Sequence, residues 1–129
     1  ARACHPDAMF AVGDATRLDY ADEAFDTVVS GCCLLHIPDY QTAVAETARV
    51  ARHYAVFHRT PVVVGQPDLY YRKQAYGVET IEIHFNEAAF LELLQSCGLE
   101  LLDTRTLDES IVAGKGGAVR TYVCAKKAH

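Results

Sequence analysis

The sequence lacks the features that mark membrane-spanning and nucleic-acid-binding proteins. No apolar stretch approaches the ~20 residues that a helix needs to cross a bilayer, and residues 1–7 are not a basic segment followed by an apolar one. The chain carries 12 Lys and Arg against 17 Asp and Glu, for a net charge of −5. The basic residues are scattered, so a footprint for a phosphate backbone is missing as well. We therefore expect a cytoplasmic protein that binds neither membranes nor nucleic acid.

Patterns for metal ligands and disulfides are missing too. The five cysteines show no C-x-x-C spacing, and the six histidines include no H-x-x-x-H pair. Cys32, Cys33 and Cys124 lie within apolar runs, where buried thiols are common. We therefore predict neither a metal site nor structural disulfides.

The sequence does contain enough apolar residues for one core. It has 129 residues, of which 50% are hydrophobic, and this predicts a single domain over residues 1–129. Short β-type runs alternate with helical ones. This pattern predicts an α/β fold in which helices pack on a mostly parallel sheet.

Two apolar runs stop abruptly at small and polar residues. The first is Phe10–Gly13, followed by Asp14 and Ala15, and the second is Thr27–Ser30, followed by Gly31 and Cys32. Ligands of open α/β sheets bind where parallel strands end. The two endings therefore predict a rim that binds a small cofactor.

The middle of the chain predicts a helix and a third strand. Helical spacing of small and apolar residues favours a helix over Tyr40–Arg52, with Asp39 as its cap. Ala55–His58 has the pattern of a strand that Pro61 would end. Val62–Glu79 is predicted to be a long irregular loop, of the kind that often forms a lid or a binding segment.

The last third predicts a second helix and a hairpin. Asn86 can cap the helix, with Phe85 and Phe90 as a hydrophobic staple, and Gly98 follows Cys97 as a left-handed stop. The closing antiparallel hairpin is predicted over Leu99–Thr106 and Val119–Ala125.

Four short motifs follow one another in the first half of the chain. They are Gly13-Asp14-Ala15, Phe25-Asp26-x-Val28-Val29-Ser30, Leu35-His36-Ile37-Pro38-Asp39 and Glu46-x-x-Arg49-Val50. Their order and spacing resemble the second half of a class I S-adenosylmethionine-dependent methyltransferase. The resemblance covers essentially the whole chain. It implies a partial Rossmann-like methyltransferase sheet, with S-adenosylmethionine as cofactor.

The resemblance also shows two departures from the family pattern. The family's glycine-rich loop and the acidic residue that ends its second strand would lie upstream of Phe10, where only nine residues remain. Residues 51–54 stand where relatives usually have Lys-Pro-Gly-Gly. We therefore expect a fragment or a truncated gene product, which uses the cofactor only if the missing N-terminal half is supplied.

The family sheet has strand order 3-2-1-4-5-7-6, which predicts an open edge in this chain. The strand ending at Gly13 would be the third and the Val28 strand the fourth, and the first and second would be missing. An unpaired apolar edge has to be covered. We expect a homodimer, strand exchange, or direct pairing of the Phe10 strand with the Val28 strand.

The resemblance implies roles for both strand endings in cofactor binding. Asp14 would accept a hydrogen bond from the adenine amino group, and the backbone of Ala15 would meet the ring edge. Ser30, Gly31 and Cys32 would line the methionine moiety, since small residues let the backbone approach a ligand. A solvated turn aspartate and a plain strand end are the alternatives.

Candidate substrate residues follow the same rim. His36 could take a proton or orient the acceptor, or it could pack beside the cofactor or cap a helix. His58 and Arg59 could bind a carboxylate or phosphate, or form a structural salt bridge. Tyr70 and Tyr71 could belong to a substrate lid or to a packed surface segment.

Three further residues are given no part in binding. His84 is predicted to be incidental, and Glu46 and Arg49 to pair on a helix surface.

Two functions stay open at this point. One is methyl transfer from S-adenosylmethionine to an unknown small molecule, as part of a longer parent protein. The other is a truncated, non-catalytic methyltransferase-like domain that self-associates.

Overall fold

The described part of the chain, residues 6–75, 77–112 and 114–127, forms six strands and two helices in the computed structural model. The strands are β1 (Phe25–Gly31), β2 (Ala51–Val63), β3 (Leu69–Ala75), β4 (Val78–Asn86), β5 (Leu99–Val112) and β6 (Lys115–Lys126). The helices are α1 (Tyr40–Val50) and α2 (Glu87–Ser96), and a 3₁₀ turn covers Leu34–His36.

All six strands belong to one sheet organised around β2. The main strand order is β3-β4-β2-β6-β5, and β1 also pairs with β2. β1 pairs in parallel with the first half of β2, and β4 pairs in parallel with Val62 and Val63 at its end. The run β1-β2-β6-β5 reproduces the 4-5-7-6 part of the strand order that the sequence predicts, so the α/β fold class is confirmed.

The sheet has fewer parallel strand pairings than the sequence predicts. β2–β6, β3–β4 and β5–β6 are antiparallel, so within the described residues three of the five strand pairings are antiparallel. The parallel strands of the expected layout that would flank β1 are not among the elements described.

The core lies where both helices pack on the sheet, and Phe90 of α2 is at its centre. The Phe90 ring lies 5.3 Å from Phe85, 5.5 Å from Tyr122 and 6.0 Å from Phe57, measured between centroids. All four side chains are at most 2% exposed. The contact between Phe85 and Phe90 confirms the predicted hydrophobic staple.

The predicted ends of α2 are confirmed by its hydrogen bonds. Asn86 Oδ1 accepts from the backbone N–H of Ala89 at 2.9 Å, and Gly98 has the left-handed φ of +81°. Asp39 before α1 behaves differently from its prediction as a cap. Its Oδ1 accepts from the Thr42 hydroxyl at 2.8 Å, and its side chain makes no capping bond to the backbone.

The strand predicted over Phe10–Gly13 is wrong. Residues 9–13 have no regular structure, and Asp14 forms only an isolated bridge with Arg17. Direct pairing of this segment with β1 is therefore not formed. Within the described residues β1 pairs with β2 alone, so its other edge is open.

The irregular loop predicted over Val62–Glu79 is also wrong, because most of it forms the β3–β4 hairpin. Seven residue pairs run in register from Leu69 and His84 to Ala75 and Val78. The base of this hairpin is fixed by Asp68, whose carboxylate accepts from the Tyr40 hydroxyl and from the Asn86 backbone N–H. Burial and this hydrogen bond raise the pKa of Tyr40, so its hydroxyl stays a donor.

β2 is longer than predicted at both ends. It begins directly after α1, so residues 51–54 form strand where the family pattern has a turn. It also continues through Pro61 to Val63. On one edge of β2 the ladder with β1 ends at His58 and the ladder with β4 begins at Val62. Pro61 falls in the gap between them, a position at which a strand tolerates proline.

Arg49 does more than pair with Glu46 on the surface of α1. Its guanidinium binds Glu46 and Asp22 and donates to the carbonyls of Leu18 and Tyr20, all at 2.7–2.9 Å. Glu46 in turn accepts from the backbone N–H of Leu18 at 3.1 Å. The pair thereby holds residues 18–22 against α1.

The cysteines differ from the prediction that they are buried. Cys124 is buried, which raises the pKa of its thiol to about 11, but Cys32 and Cys33 are exposed free thiols. They are exposed because β1 ends before them, at Gly31. Cys4 lies outside the described residues. Neither described helix is long and apolar enough to span a membrane.

Candidate functional site

The end of β1 and a bulge in β2 form one rim of the sheet. The backbone N–H of Cys32 donates to the carbonyl of His58 at 3.0 Å, which joins the two segments. Cys32 and Arg59 both have positive φ, +54° and +56°, and the pairing of β2 with β6 is irregular between Phe57 and Thr60. Bulges and left-handed non-glycine residues concentrate near functional sites, where they aim side chains.

Ser30, Gly31 and Cys32 form a wall of small residues at the end of β1. A Cβ added to Gly31 would meet no atom within 4 Å. The Ser30 hydroxyl lies 3.0 Å from Cys33 Sγ, and Ser30 is half-buried whereas Gly31 and Cys32 are exposed. The backbone at Gly31 therefore faces open space, with the small residues Ser30 and Cys32 on either side of it.

Asp14 and Ala15 form a local turn instead of a strand end. Asp14 Oδ1 accepts from the Thr16 hydroxyl at 2.7 Å and from the Thr16 backbone N–H at 2.9 Å. These bonds lower the pKa of Asp14, so it carries a charge at neutral pH. Ala15 packs against the core. The hydrogen bonds of the described structure do not connect Asp14 to the end of β1.

His36 contacts the inserted hairpin. Its Nδ1 lies 2.8 Å from the carbonyl oxygen of Ile81, and because a carbonyl only accepts, Nδ1 is the donor. His36 also lines an open groove of about 470 Å³ with Arg72, Glu79, Thr80 and Ile81. The groove lies on the opposite face of the hairpin from Tyr71 and Glu82, since side chains alternate along a strand.

A second, smaller cleft lies beside Cys32 and Arg59. It has a volume of about 190 Å³ and is lined by Cys32, Leu35, Arg59, Pro61, Glu82, His84 and Val119. The guanidinium of Arg59 has no hydrogen-bond or ion-pair partner among the described residues. His58 points elsewhere: its Nδ1 lies 2.9 Å from the Thr121 hydroxyl.

One face of the hairpin supplies the polar side of this cleft. His84 Nε2 lies 3.3 Å from Glu82 Oε2, and Lys73 Nζ lies 3.2 Å from Glu82 Oε1. Burial alone would raise the pKa of Glu82, but hydrogen bonds from His84 and Lys73 outweigh it and lower that pKa. The Tyr71 ring meets the His84 ring edge-on at 5.0 Å.

The structure therefore brings together some predicted site residues and separates others. Cys32 and Arg59 share the cleft and Tyr71 contacts it through His84, whereas Tyr70 lies on the other face of β3. Glu82 and His84 were not predicted as site residues. Glu82 and His84 are two residues apart, so they lie on one face if the segment is a strand. The strand itself was not predicted, because the segment before them was predicted to be a loop.

No group of three or more His, Cys, Asp and Glu side chains in the described ranges is arranged to hold a metal ion.

Comparison with known proteins shows that part of the sequence is similar to methyltransferases. Residues 1–57 match the family described as Methyltransferase domain. A demethylmenaquinone methyltransferase of Roseiflexus sp. is 44% identical over 45 residues, which are 35% of this chain and 19% of that protein.

Solved structures extend the likeness to most of the chain. A SAM-dependent methyltransferase from Methanosarcina mazei superposes with a TM-score of 0.67 at 18% identity, covering 93% of this chain and 68% of that one. A second structure is 1,6-didemethyltoxoflavin-N1-methyltransferase from Burkholderia thailandensis, with bound 1,6-didemethyltoxoflavin and S-adenosylhomocysteine. It superposes with a TM-score of 0.65 at 20% identity, covering 92% of this chain and 51% of that one.

The chain thus spans between half and about two thirds of these solved proteins, and its match covers about a fifth of the curated relative. The sequence match over residues 1–57 and the strand order β1-β2-β6-β5 agree on one fold. The chain has the fold of the class I S-adenosylmethionine-dependent methyltransferases.

Proposed function

We propose that the chain is the C-terminal part of an enzyme that transfers a methyl group from S-adenosylmethionine to a small molecule. The observation that carries the proposal is the wall Ser30–Cys32 at the end of β1, joined to His58 of β2 by a 3.0 Å hydrogen bond. In open α/β sheets this end of the strands is where ligands bind. The Burkholderia relative carries S-adenosylhomocysteine and its acceptor together.

The residues present fit the methionine side of that cofactor. The open space beside Gly31 leaves room for a ligand against the backbone, and Ser30 and Cys32 on either side of it are small. Asp14 and Ala15 would meet the adenine, and the lowered pKa of Asp14 keeps its carboxylate an acceptor. When bound, the cofactor supplies an electrophilic methyl group.

The chain's own contribution to methyl transfer is chiefly position and proton handling. His36 has Nδ1 committed to the Ile81 carbonyl, so in the neutral ring Nε2 is the basic nitrogen. We assign His36 to orienting the acceptor. His58, Arg59, Tyr70 and Tyr71 are the candidates for substrate contact on the rim and the hairpin.

A calorimetric titration with S-adenosylhomocysteine tests cofactor binding. We expect the chain alone to bind weakly, with a dissociation constant of roughly a millimolar, because it supplies only the wall at the end of β1. Gly31→Val should weaken binding by about tenfold or more, because the valine side chain fills space that is open beside the backbone. Gly116→Val is the matched control, since a Cβ there also meets open space but lies far along β6. Absence of binding, or equal loss in both variants, contradicts the proposal.

A second function, self-association without catalysis, is favoured by the open edge of β1. Val29 is 61% exposed and Phe25 is 41% exposed on a strand that, within the described residues, pairs on one side only. Apolar edges of this kind promote pairing with another chain. We propose that a second copy, as a homodimer or by strand exchange, covers this edge.

Sedimentation velocity tests this second function. The chain should sediment as a dimer, and Val29→Lys should make it monomeric, since a lysine on an edge strand opposes pairing. Val78→Lys is the control, because Val78 is similarly exposed at 59% but lies at the tip of the hairpin. A monomeric parent chain contradicts self-association.

Residues 1–129 are proposed to act as a single domain of the longer protein. The cytoplasm is the proposed compartment, because the exposed free thiols Cys32 and Cys33 suit a reducing environment.

A further inference from the structure

The cleft between the β2 bulge and the hairpin has a composition that selects its ligand. Leu35, Pro61 and Val119 form the apolar part of its lining, and Arg59, Glu82 and His84 form most of the polar part. Ligand sites commonly combine an apolar surface with a few polar groups in this way. At about 190 Å³ the cleft is somewhat larger than a cavity that holds benzene, so it fits one substituted ring.

Arg59 carries the one charge of this lining that no side chain of the described residues neutralises. The negative charge of Glu82 is matched by the ammonium group of Lys73 at 3.2 Å, and Glu82 also accepts a hydrogen bond from the His84 ring at 3.3 Å. Arg59, in contrast, has no ion-pair partner among the described residues, and its backbone holds a strained φ of +56°. A guanidinium held in this way is suited to a carboxylate, which it can bind through two parallel hydrogen bonds.

His84 is positioned by three side chains of the hairpin. Glu82 accepts from Nε2, Lys73 holds the other oxygen of Glu82, and Tyr71 packs edge-on against the imidazole ring. A carboxylate that accepts from one ring nitrogen leaves the other as the base and stabilises the imidazolium. Both His84 and Glu82 line the cleft that Arg59 lines.

We propose that this cleft binds a small acidic methyl acceptor, whose carboxylate pairs with Arg59 and whose hydroxyl or amine proton is taken by His84. In that step the X–H bond of the acceptor breaks, the proton binds Nδ1 of His84 to give imidazolium, and the electron pair remains on X. Glu82 is a positioning residue for His84. The inference rests on the proposed function, because it names the acceptor of the same rim.

Cys32 connects this cleft to the proposed cofactor wall. It lines the cleft, and it is also the last residue of the wall Ser30–Cys32. An acceptor in the cleft would therefore lie next to the wall that faces the methionine moiety.

Two probes test the anion site without any methyl donor. The full chain is titrated, with NMR detection, with 2-hydroxybenzoate and separately with its neutral amide, 2-hydroxybenzamide. The acid should bind about tenfold more tightly than the amide, and Arg59→Gln should abolish that preference while the amide still binds. Arg72→Gln is the control, because Arg72 is exposed on the other face of the hairpin and should keep the preference.

A third probe, 4-hydroxy-3-nitrobenzoate, reports on the proton. At a pH where the free phenol is mostly protonated, binding should convert it to the yellow phenolate. His84→Gln should bind the probe but lose most of the colour change, and Glu82→Gln should reduce it. These readouts are independent of S-adenosylhomocysteine binding, so the inference and the proposed function can fail separately. Equal affinity for acid and amide, or a colour change unaffected by His84→Gln, overturns the inference.

Discussion

At the scale of single residues, Arg59 combines backbone strain with a side chain that is free to bind. A left-handed conformation costs a non-glycine residue of the order of 1–2 kcal/mol, and proteins keep such residues mostly where function needs them. The strain at Arg59 comes from the bulge between Phe57 and Thr60.

Arg59→Gly should therefore stabilise the fold while removing the cation. We expect the free energy of unfolding to rise by about 1 kcal/mol, because glycine adopts a positive φ without strain. Urea denaturation measures it, and Arg59→Ala serves as the control that loses the cation but keeps the strain. If glycine is no more stable than alanine at this position, the bulge does not strain the backbone.

Glu87 gives a residue-scale prediction about acid stability. It accepts from the Tyr122 hydroxyl at 2.6 Å and binds Arg120, at the first turn of α2. Burial alone would raise the pKa of Glu87, but the hydrogen bonds from Arg120 and Tyr122 outweigh it and lower that pKa below the usual 4.5. A carboxylate with a lowered pKa stabilises the folded state above its unfolded pKa and loses that effect as it is protonated.

The chain should accordingly be more stable than Glu87→Gln at neutral pH, and the difference should shrink as the pH falls below 4.5. Tyr122→Phe should cost about 1 kcal/mol at pH 7, since it removes one hydrogen bond to the carboxylate. Thermal unfolding between pH 3 and pH 7 measures both. A difference that stays constant across this range would contradict the role given to Glu87.

At the scale of elements, α1 holds the segment that precedes β1. Arg49 and Glu46 make side-chain bonds to residues 18–22, and the Glu23 N–H donates to the Arg49 carbonyl at 2.9 Å. This segment has no regular secondary structure of its own, so its position depends on those bonds.

Arg49→Ala should release this segment while leaving the sheet intact. We expect the amides of Leu18 and Glu23 to exchange with solvent about tenfold faster or more, because local opening no longer breaks the Arg49 bonds. Arg52→Ala is the control, since Arg52 binds only the exposed Asp26 at 3.2 Å. Hydrogen exchange by mass spectrometry measures the change. Unchanged exchange at Leu18 would show that the segment is held by other contacts.

The sequence predicts an element correctly where its local pattern of residues agrees with the contacts that the element makes in the fold. α2 was predicted with its cap, staple and glycine stop because each is a local interaction among neighbours in the chain. The β3–β4 hairpin was missed because Tyr70, Arg72 and Lys73 give no clear alternation of apolar and polar residues. The strand at Phe10–Gly13 was predicted from its apolar residues, but residues 9–13 belong to none of the described strand pairings.

The residues of the candidate site were also predicted only in part. Ser30–Cys32 and Arg59 could be placed on one rim because parallel strands end at the same edge of a sheet. Glu82 and His84 reach that rim only through the hairpin, whose register the sequence leaves undetermined.

At the scale of the whole molecule, the described strands reproduce part of a methyltransferase-like sheet. β1, β2, β6 and β5 follow the 4-5-7-6 part of the family's strand order, and within the described residues the other edge of β1 is open. We propose that the wall Ser30–Cys32 contacts the methionine part of S-adenosylmethionine.

Amide NMR of the labelled chain during titration with S-adenosylhomocysteine tests that claim most directly. We expect the largest shifts on Ser30, Gly31 and Cys32 and on the His58–Arg59 bulge, which is joined to Cys32 by a hydrogen bond. Saturable shifts confined to other parts of the sheet, or no saturable shifts at all, would contradict it.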